Sequence, residues 1–406
     1  MNCFNLKTSV RISESSGVDG YFCSVFPAKA GIQASSESGH RLSPVRRVNC
    51  IFQVNRSQVA NHRSQIKNRN LRQKAFLFLF STFHLLPSTL LHAQTIVKFA
   101  TLAPDGSTWM KAMKQFAVEV SSKTDNRVKF KFYAGGVSGD EKDVVRKIRL
   151  GQLQAGGFTG VGLGEIAPEA RLLDTPFLFN NAREIDYIYK FFDADFRKIF
   201  ESRGYILLGW AEVGAVNIFS NAPITGPEDL RSLKMWLWEG DPIAEAMFAA
   251  LKVKPIPLSV MDVMTSLQTG MLNGVYGSPL SVIALQWFTR MKYVFSLPIT
   301  NASGAAVISK KAFDTLSKED RKTLLELGDR HFRALTLQSR KDNEQSVGIL
   351  KAKKLVFTDP AGPAVVAELE RAGGEARLSL VDKLYSRELL DKMESALKIF
   401  RTGRKN

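Results

Sequence analysis

The chain has 406 residues, 45% hydrophobic and 23% charged, a balance that excludes collagen-like, disordered and polytopic membrane proteins. Its net charge of +17 is uneven: residues 1–93 hold 12 Lys/Arg against 3 Asp/Glu, whereas 94–406 hold 44 against 36. All three cysteines and four of the five histidines also fall in 1–93, so the rest of the chain, with only His331, has no material for thiol catalysis, disulfides, Cys/His zinc sites or a histidine relay.

Residues 68–93 read as a cleavable signal peptide. Arg69, Arg72 and Lys74 make a basic start, Ala75–Phe80 with Leu85 and Leu86 an apolar run, and Leu91-His92-Ala93 a small-residue cleavage site before Gln94. Ser81, Thr82, His84, Pro87 and Ser88 interrupt the run too often for a membrane-spanning anchor. Residues 1–67 precede that signal, lack hydrophobic periodicity, and read as a non-native or disordered extension. The expected start is a non-Met codon such as that of Leu71, and Phe26–Gln33 looks like a translated intergenic repeat. Without interleaved aromatics or a dense basic block, the extension does not read as a nucleic-acid-binding tail.

From Gln94 onward the pattern is α/β. Strands are predicted at Ile96–Ala100, at the alternating Arg127–Tyr133, and at Ala155–Thr159; helices start at Ser107 and run over Glu141–Leu150. Strand, helix, strand, helix, strand is the order of a parallel sheet covered by helices. Next come a helix over Tyr187–Ser202, a strand over Tyr205–Trp210 and a polar connector, Ser220–Leu230. Then follow strands Lys234–Trp238, Lys254–Pro257 and Val275-Tyr276, with helices after Asp241-Pro242, after Ser259 and over Leu280–Arg290. Ala305–Ser309 reads as strand, Ser317 caps a helix running unbroken to about Lys351, and two further helices end the chain.

The restart of the alternation near residue 220 predicts two lobes with a cleft: 94–219 as the first, 220–300 as the second, and 301–406 returning to the first. Ligands in such open sheets bind beyond the carboxyl ends of the strands, which marks loops 101–107, 134–140, 159–165, 239–241 and 276–279. The glycine-rich Gly156–Gly164 fails the dinucleotide pattern and lacks a P-loop lysine, so it reads as a tight loop. There is no G-x-S-x-G elbow, His331 has no nucleophile partner in view, and Asp241 reads as a helix start. A binding protein, without cofactor, metal or catalytic residues, fits this better than an enzyme.

Five segments sharpen that reading: Thr175–Phe179, Pro223–Leu230, Ser232-Leu-Lys234, Pro255-Ile-Pro257 and Ser266–Gly270, with a looser Asn273-Gly274 and Ser278-Pro-Leu280. In this order and spacing, Ile96 to about Lys351 resembles the solute-binding subunit of TRAP (tripartite ATP-independent periplasmic) transporters. The resemblance implies a type II-like periplasmic binding protein: two α/β lobes joined by hinge strands, braced by a long C-terminal helix, closing on one small ligand and delivering it to membrane subunits. It implies a periplasmic protein that is not itself membrane-spanning.

The departures from the family pattern bear on the ligand. Carboxylate binders of the family typically read K-I-R where this chain has Lys234-Met235-Trp236, and that arginine holds the ligand carboxylate bidentately. A second family arginine is missing at Gly214-Ala215-Val216, and the family asparagine at Asn273–Pro279. Trp236 and Trp238 lie two apart on a strand and share a face; with Tyr276 and Phe177 they form a candidate aromatic pocket, Thr159 and Ser278 add loop hydroxyls, and Glu212 and Glu239 add countercharge. Such a set favours an apolar, aromatic or cationic ligand over a simple carboxylate. An adaptor or sensor binding a protein or hydrophobic molecule is the alternative.

Overall fold

The computed structural model describes residues 94–403. The extension 1–67 and the signal peptide 68–93 lie outside the described residues. The first lobe opens on β1 (Thr95–Thr101), α1 (Thr108–Lys123), β2 (Val128–Tyr133), α2 (Glu141–Arg149) and β3 (Ala155–Thr159), the three strands pairing in parallel as β2-β1-β3. Serine and aspartate start the two helices: Ser107 Oγ accepts the Met110 N–H, and Asp140 makes a capping box with Asp143. After β3 come α3 (Gly160–Ile166), a 3₁₀ segment (Pro168–Asp174) and α4 (Ala182–Ser202).

The chain then runs through β4 (Tyr205–Ser220) into the second lobe, which holds α5 (Pro227–Arg231), β5 (Trp236–Trp238), α6 (Pro242–Ala250), β6 (Ile256–Leu258), α7 (Val263–Gln268), β7 (Gly274–Gly277) and α8 (Pro279–Ala284). It returns along β8 (Tyr293–Ser309) to α9 (Lys310–Asp314) and α10 (Lys318–Ala352), followed by β9 (Val356–Thr358), α11 (Pro363–Ser379) and α12 (Arg387–Thr402). The main sheet has the order β2-β1-β3-β8-β4-β7 with β9 on β8, and β5 and β6 form a parallel pair that reaches β7 through a Met235–Gly274 bridge.

Strands β4 and β8 are far longer than the predicted Tyr205–Trp210 and Ala305–Ser309, because both cross from lobe to lobe as one antiparallel ladder. The halves missed by the sequence reading carry polar residues, glycine and Pro298 rather than a clean alternation. Pro298 has no N–H to donate, and the ladder skips it at the register shift between Val216 and Ile218. There the Asn217 side-chain amide donates to the carbonyls of Phe295 (2.9 Å) and Ser296 (3.2 Å), standing in for the missing ladder bonds. Between the lobes a second shift falls at Glu212/Gly214, where Gly214 has φ +118°.

The 35-residue α10, capped by Ser317 as expected, braces both lobes. Leu324, Phe332 and Leu335 pack with Phe99, Met113 and Phe116 of the first lobe, and Leu350 packs with Val275, Val282 and Val294 of the second. Within 301–406, α12 buries Leu390, Met393 and Leu397 in the first lobe, whereas α11 buries Leu369, Ala372 and Ala376 in the second. Among the described residues no helix is long and apolar enough to cross a membrane.

Candidate functional site

The lobes face each other across the carboxyl ends of β1, β2 and β3 on one side and of β5 and β7 on the other. Alternation along β5 sends Trp236 and Trp238 to one face. The Trp236 ring stacks on Tyr276 (4.9 Å between centroids, 21°) and on Trp238 (5.9 Å, 29°), and meets Trp287 edge-on (5.2 Å). Its indole N–H donates to the Leu258 carbonyl at 3.0 Å, so the one polar atom of this 2%-exposed ring is satisfied. Leu102 and Val161 of the first lobe pack against the same cluster.

Polar groups bridge the lobes beside the rings. Asp140, which caps α2, accepts the Trp238 indole N–H at 3.2 Å on each oxygen, the Ser259 hydroxyl at 2.5 Å and the Val260 N–H at 3.3 Å. Arg171 donates to Asp174 (2.6 Å) in its own lobe and to Asp241 (2.5 Å) in the other, and all three side chains are buried. Burial opposes the charge on Arg171, yet Asp241 and Asp174 hold its pKa above the usual value; burial outweighs Arg171 at Asp174 and pushes that carboxyl up. The Tyr276 hydroxyl accepts the Trp238 N–H (3.1 Å) and donates to Asp241 (3.4 Å); burial, reinforced by Asp241, keeps the phenol protonated far above its ordinary range.

The glycine-rich segment serves this arrangement from beneath. A Cβ at Gly160 would collide with the Asp174 carboxylate and the Arg171 guanidinium, and one at Gly164 would sit 2.7 Å from Arg171 Cδ. The glycines thus give room to a buried arginine rather than to a phosphate. Thr159 caps α3 and, with Gly162, donates to Glu141: Thr159 N–H at 2.7 Å, Thr159 Oγ at 2.9 Å and Gly162 N–H at 2.6 Å.

Of the predicted site residues, Trp236, Trp238 and Tyr276 stand together on this face. Thr159 lies at the mouth of β3 with its hydroxyl engaged by Glu141 and the α3 cap. Ser278 is fully buried and spends its oxygen on the Ser281 N–H, capping α8. Phe177, at φ +53°, packs on Gly373 of α11 and joins the Ile218–Leu230–Leu369 cluster rather than the ring stack. Glu212 is buried at the crossing of β4 and paired with Arg340, which also holds Asp186. Glu239 is exposed and meets Lys142 of the first lobe at 3.2 Å. The carboxylates beside the rings are instead Asp140 and Asp241. Asp241 keeps the helix-start role read from the sequence, capping α6 through Ile243 and Ala244, and adds the pair with Arg171. Arg171 went unread; its one sequence signal is a lone cation in the apolar run Ala170–Leu173.

Two lobes joined by long crossing strands, with an inter-lobe face of rings and buried ion pairs, are the architecture of a two-lobed periplasmic binding protein. The model of the bacterial extracellular solute-binding proteins, family 7, matches residues 99–372, and the chain belongs to this family, the solute-binding subunits of TRAP transporters, which are receptors rather than enzymes. It is 26% identical to a solute-binding protein of Chromohalobacter salexigens over 224 residues, 54% of this chain and 66% of that one. It is also 26% identical to a solute-binding protein of Roseobacter denitrificans over 282 residues, 68% of this chain and 85% of that one. Among solved structures, the sugar acid binding protein of Advenella mimigardefordensis in complex with galactonate superposes with TM-score 0.71 at 21% identity, over 75% of this chain and 98% of that one.

Proposed function

We propose that this receptor works in the periplasm, captures a small apolar, aromatic or cationic ligand between its lobes, and delivers it to TRAP membrane subunits. The galactonate bound by the Advenella protein shows that the same fold accommodates a sugar acid. What supports a different ligand class here is the stack of Trp236, Tyr276 and Trp238 at the position where the family resemblance places a carboxylate-binding arginine. Arg171, the guanidinium beside that stack, already faces two carboxylates. An anion closed in beside this stack would lose water next to an arginine whose charge is already met by two carboxylates, at a cost of several kcal/mol, about 2–5. Ring faces flanked by Asp140 and Asp241 favour the opposite charge.

Calorimetric titration with a panel of carboxylates, aromatic compounds and quaternary amines tests this. Binding is expected from the aromatic or cationic members, with at least a tenfold loss in Trp236→Phe or Tyr276→Leu; tight binding of a sugar acid, unaffected by either change, would refute it.

A further inference from the structure

We infer that Arg171 and Asp241 form a latch that joins the lobes through a buried ion pair beside the face assigned to the ligand, and that this pair sets the receptor's specificity against anions. The inference rests on the ligand class proposed above and gives it a residue-level cause.

Both halves of the latch are built in. Arg171 is threaded beneath Gly160 and Gly164 and anchored by Asp174, whose other oxygen accepts the Ser303 N–H at 2.7 Å. Asp241 is fixed as the cap of α6 by the N–H groups of Ile243 (3.1 Å) and Ala244 (3.3 Å), and by the Tyr276 hydroxyl. The Tyr276 ring lies against Trp236, so the latch adjoins the face assigned to the ligand. One guanidinium thus meets two carboxylates, one from each lobe, in a buried setting. An incoming anion has to displace Asp241 from Arg171 or add a third negative charge. A neutral or cationic ligand leaves the latch intact, and the lobes close over it with their own ion pair. The exposed Lys142–Glu239 pair is screened by solvent and does not serve as a substitute.

The full chain with Asp241→Asn tests the latch, because asparagine caps a helix as well as aspartate does while removing the charge; Asp241→Ser, also a good cap, is the second variant. Two readouts are taken. Hydrogen exchange of the Val260 amide, whose N–H crosses to Asp140, reports lobe contact in the ligand-free protein. Calorimetry with galactonate reports anion binding. In both variants exchange at Val260 is expected to quicken at least tenfold with β1 unchanged, and galactonate is expected to bind at least tenfold more tightly than to the unsubstituted chain. Unchanged exchange in both variants overturns the latch and leaves the ligand class standing. Faster exchange without any gain of galactonate overturns its role in specificity. Tight galactonate binding by the unsubstituted chain overturns the ligand class itself.

Discussion

Glu141 shows how a single buried group ties the cleft loops to pH. Its carboxyl takes three hydrogen bonds from Thr159 and Gly162, and burial outweighs them, pushing it up to about 7. A folded-state value above that of the unfolded chain means that this group favours folding below about pH 4.3, and that the contribution is lost as pH rises through about 7. Glu141→Gln offers one acceptor oxygen where the donors approach two. Urea unfolding is expected to show a loss of about 1–3 kcal/mol and a flatter stability profile between pH 5 and 7. Trp236→Ala removes a 2%-exposed ring and is expected to cost about 3–5 kcal/mol by the same measurement. The shared face of Trp236 and Trp238 was legible because strand periodicity is local. Arg171 and Asp140 were not, since their partners in the other lobe lie 70 and 98 or more residues away and nothing local marks that pairing.

At the scale of elements, the crossing of β4 and β8 is the joint of the molecule, and α10 holds it. Asn343 of α10 donates to the Val213 carbonyl at 2.9 Å and accepts the Leu280 N–H at 3.0 Å, tying the helix to the crossing strand and to the start of α8. Gly214 admits that side chain: a Cβ there would collide with the Asn343 amide, and φ +118° is open to glycine alone. Gly214→Ala is expected to lower stability by about 1–3 kcal/mol in thermal or urea unfolding. The double variant with Asn343→Ala is expected to fall short of the sum of the two single effects, because the collision is removed once. Helices α1 and α10 were readable from serine caps and α6 from Asp241-Pro242. By contrast, α3 falls in the glycine-rich segment read as a tight loop, α5 in the stretch read as a polar connector, and α4 starts behind its Asn181 cap, ahead of the predicted Tyr187. The lengths of β4 and β8 were hidden because register shifts, Pro298 and glycine break the alternation where the strands pass between lobes.

For the whole molecule, lobe architecture and family were accessible from the order of short motifs, whereas the charge balance of the cleft emerges only when the chain folds. Glu212 and Glu239, chosen from sequence as countercharges, are held by Arg340 and Lys142; Asp140 and Asp241 take the places beside the rings. The aromatic face and the Arg171–Asp241 bridge meet at Tyr276, whose hydroxyl donates to Asp241, and the proposed ligand charge rests on both. Native mass spectrometry of the protein purified gently from its native cells, before and after denaturation, tests that proposal most directly. The expected result is one equivalent of a released small molecule that is neutral or positively charged. Release of an organic acid in stoichiometric amount would contradict it.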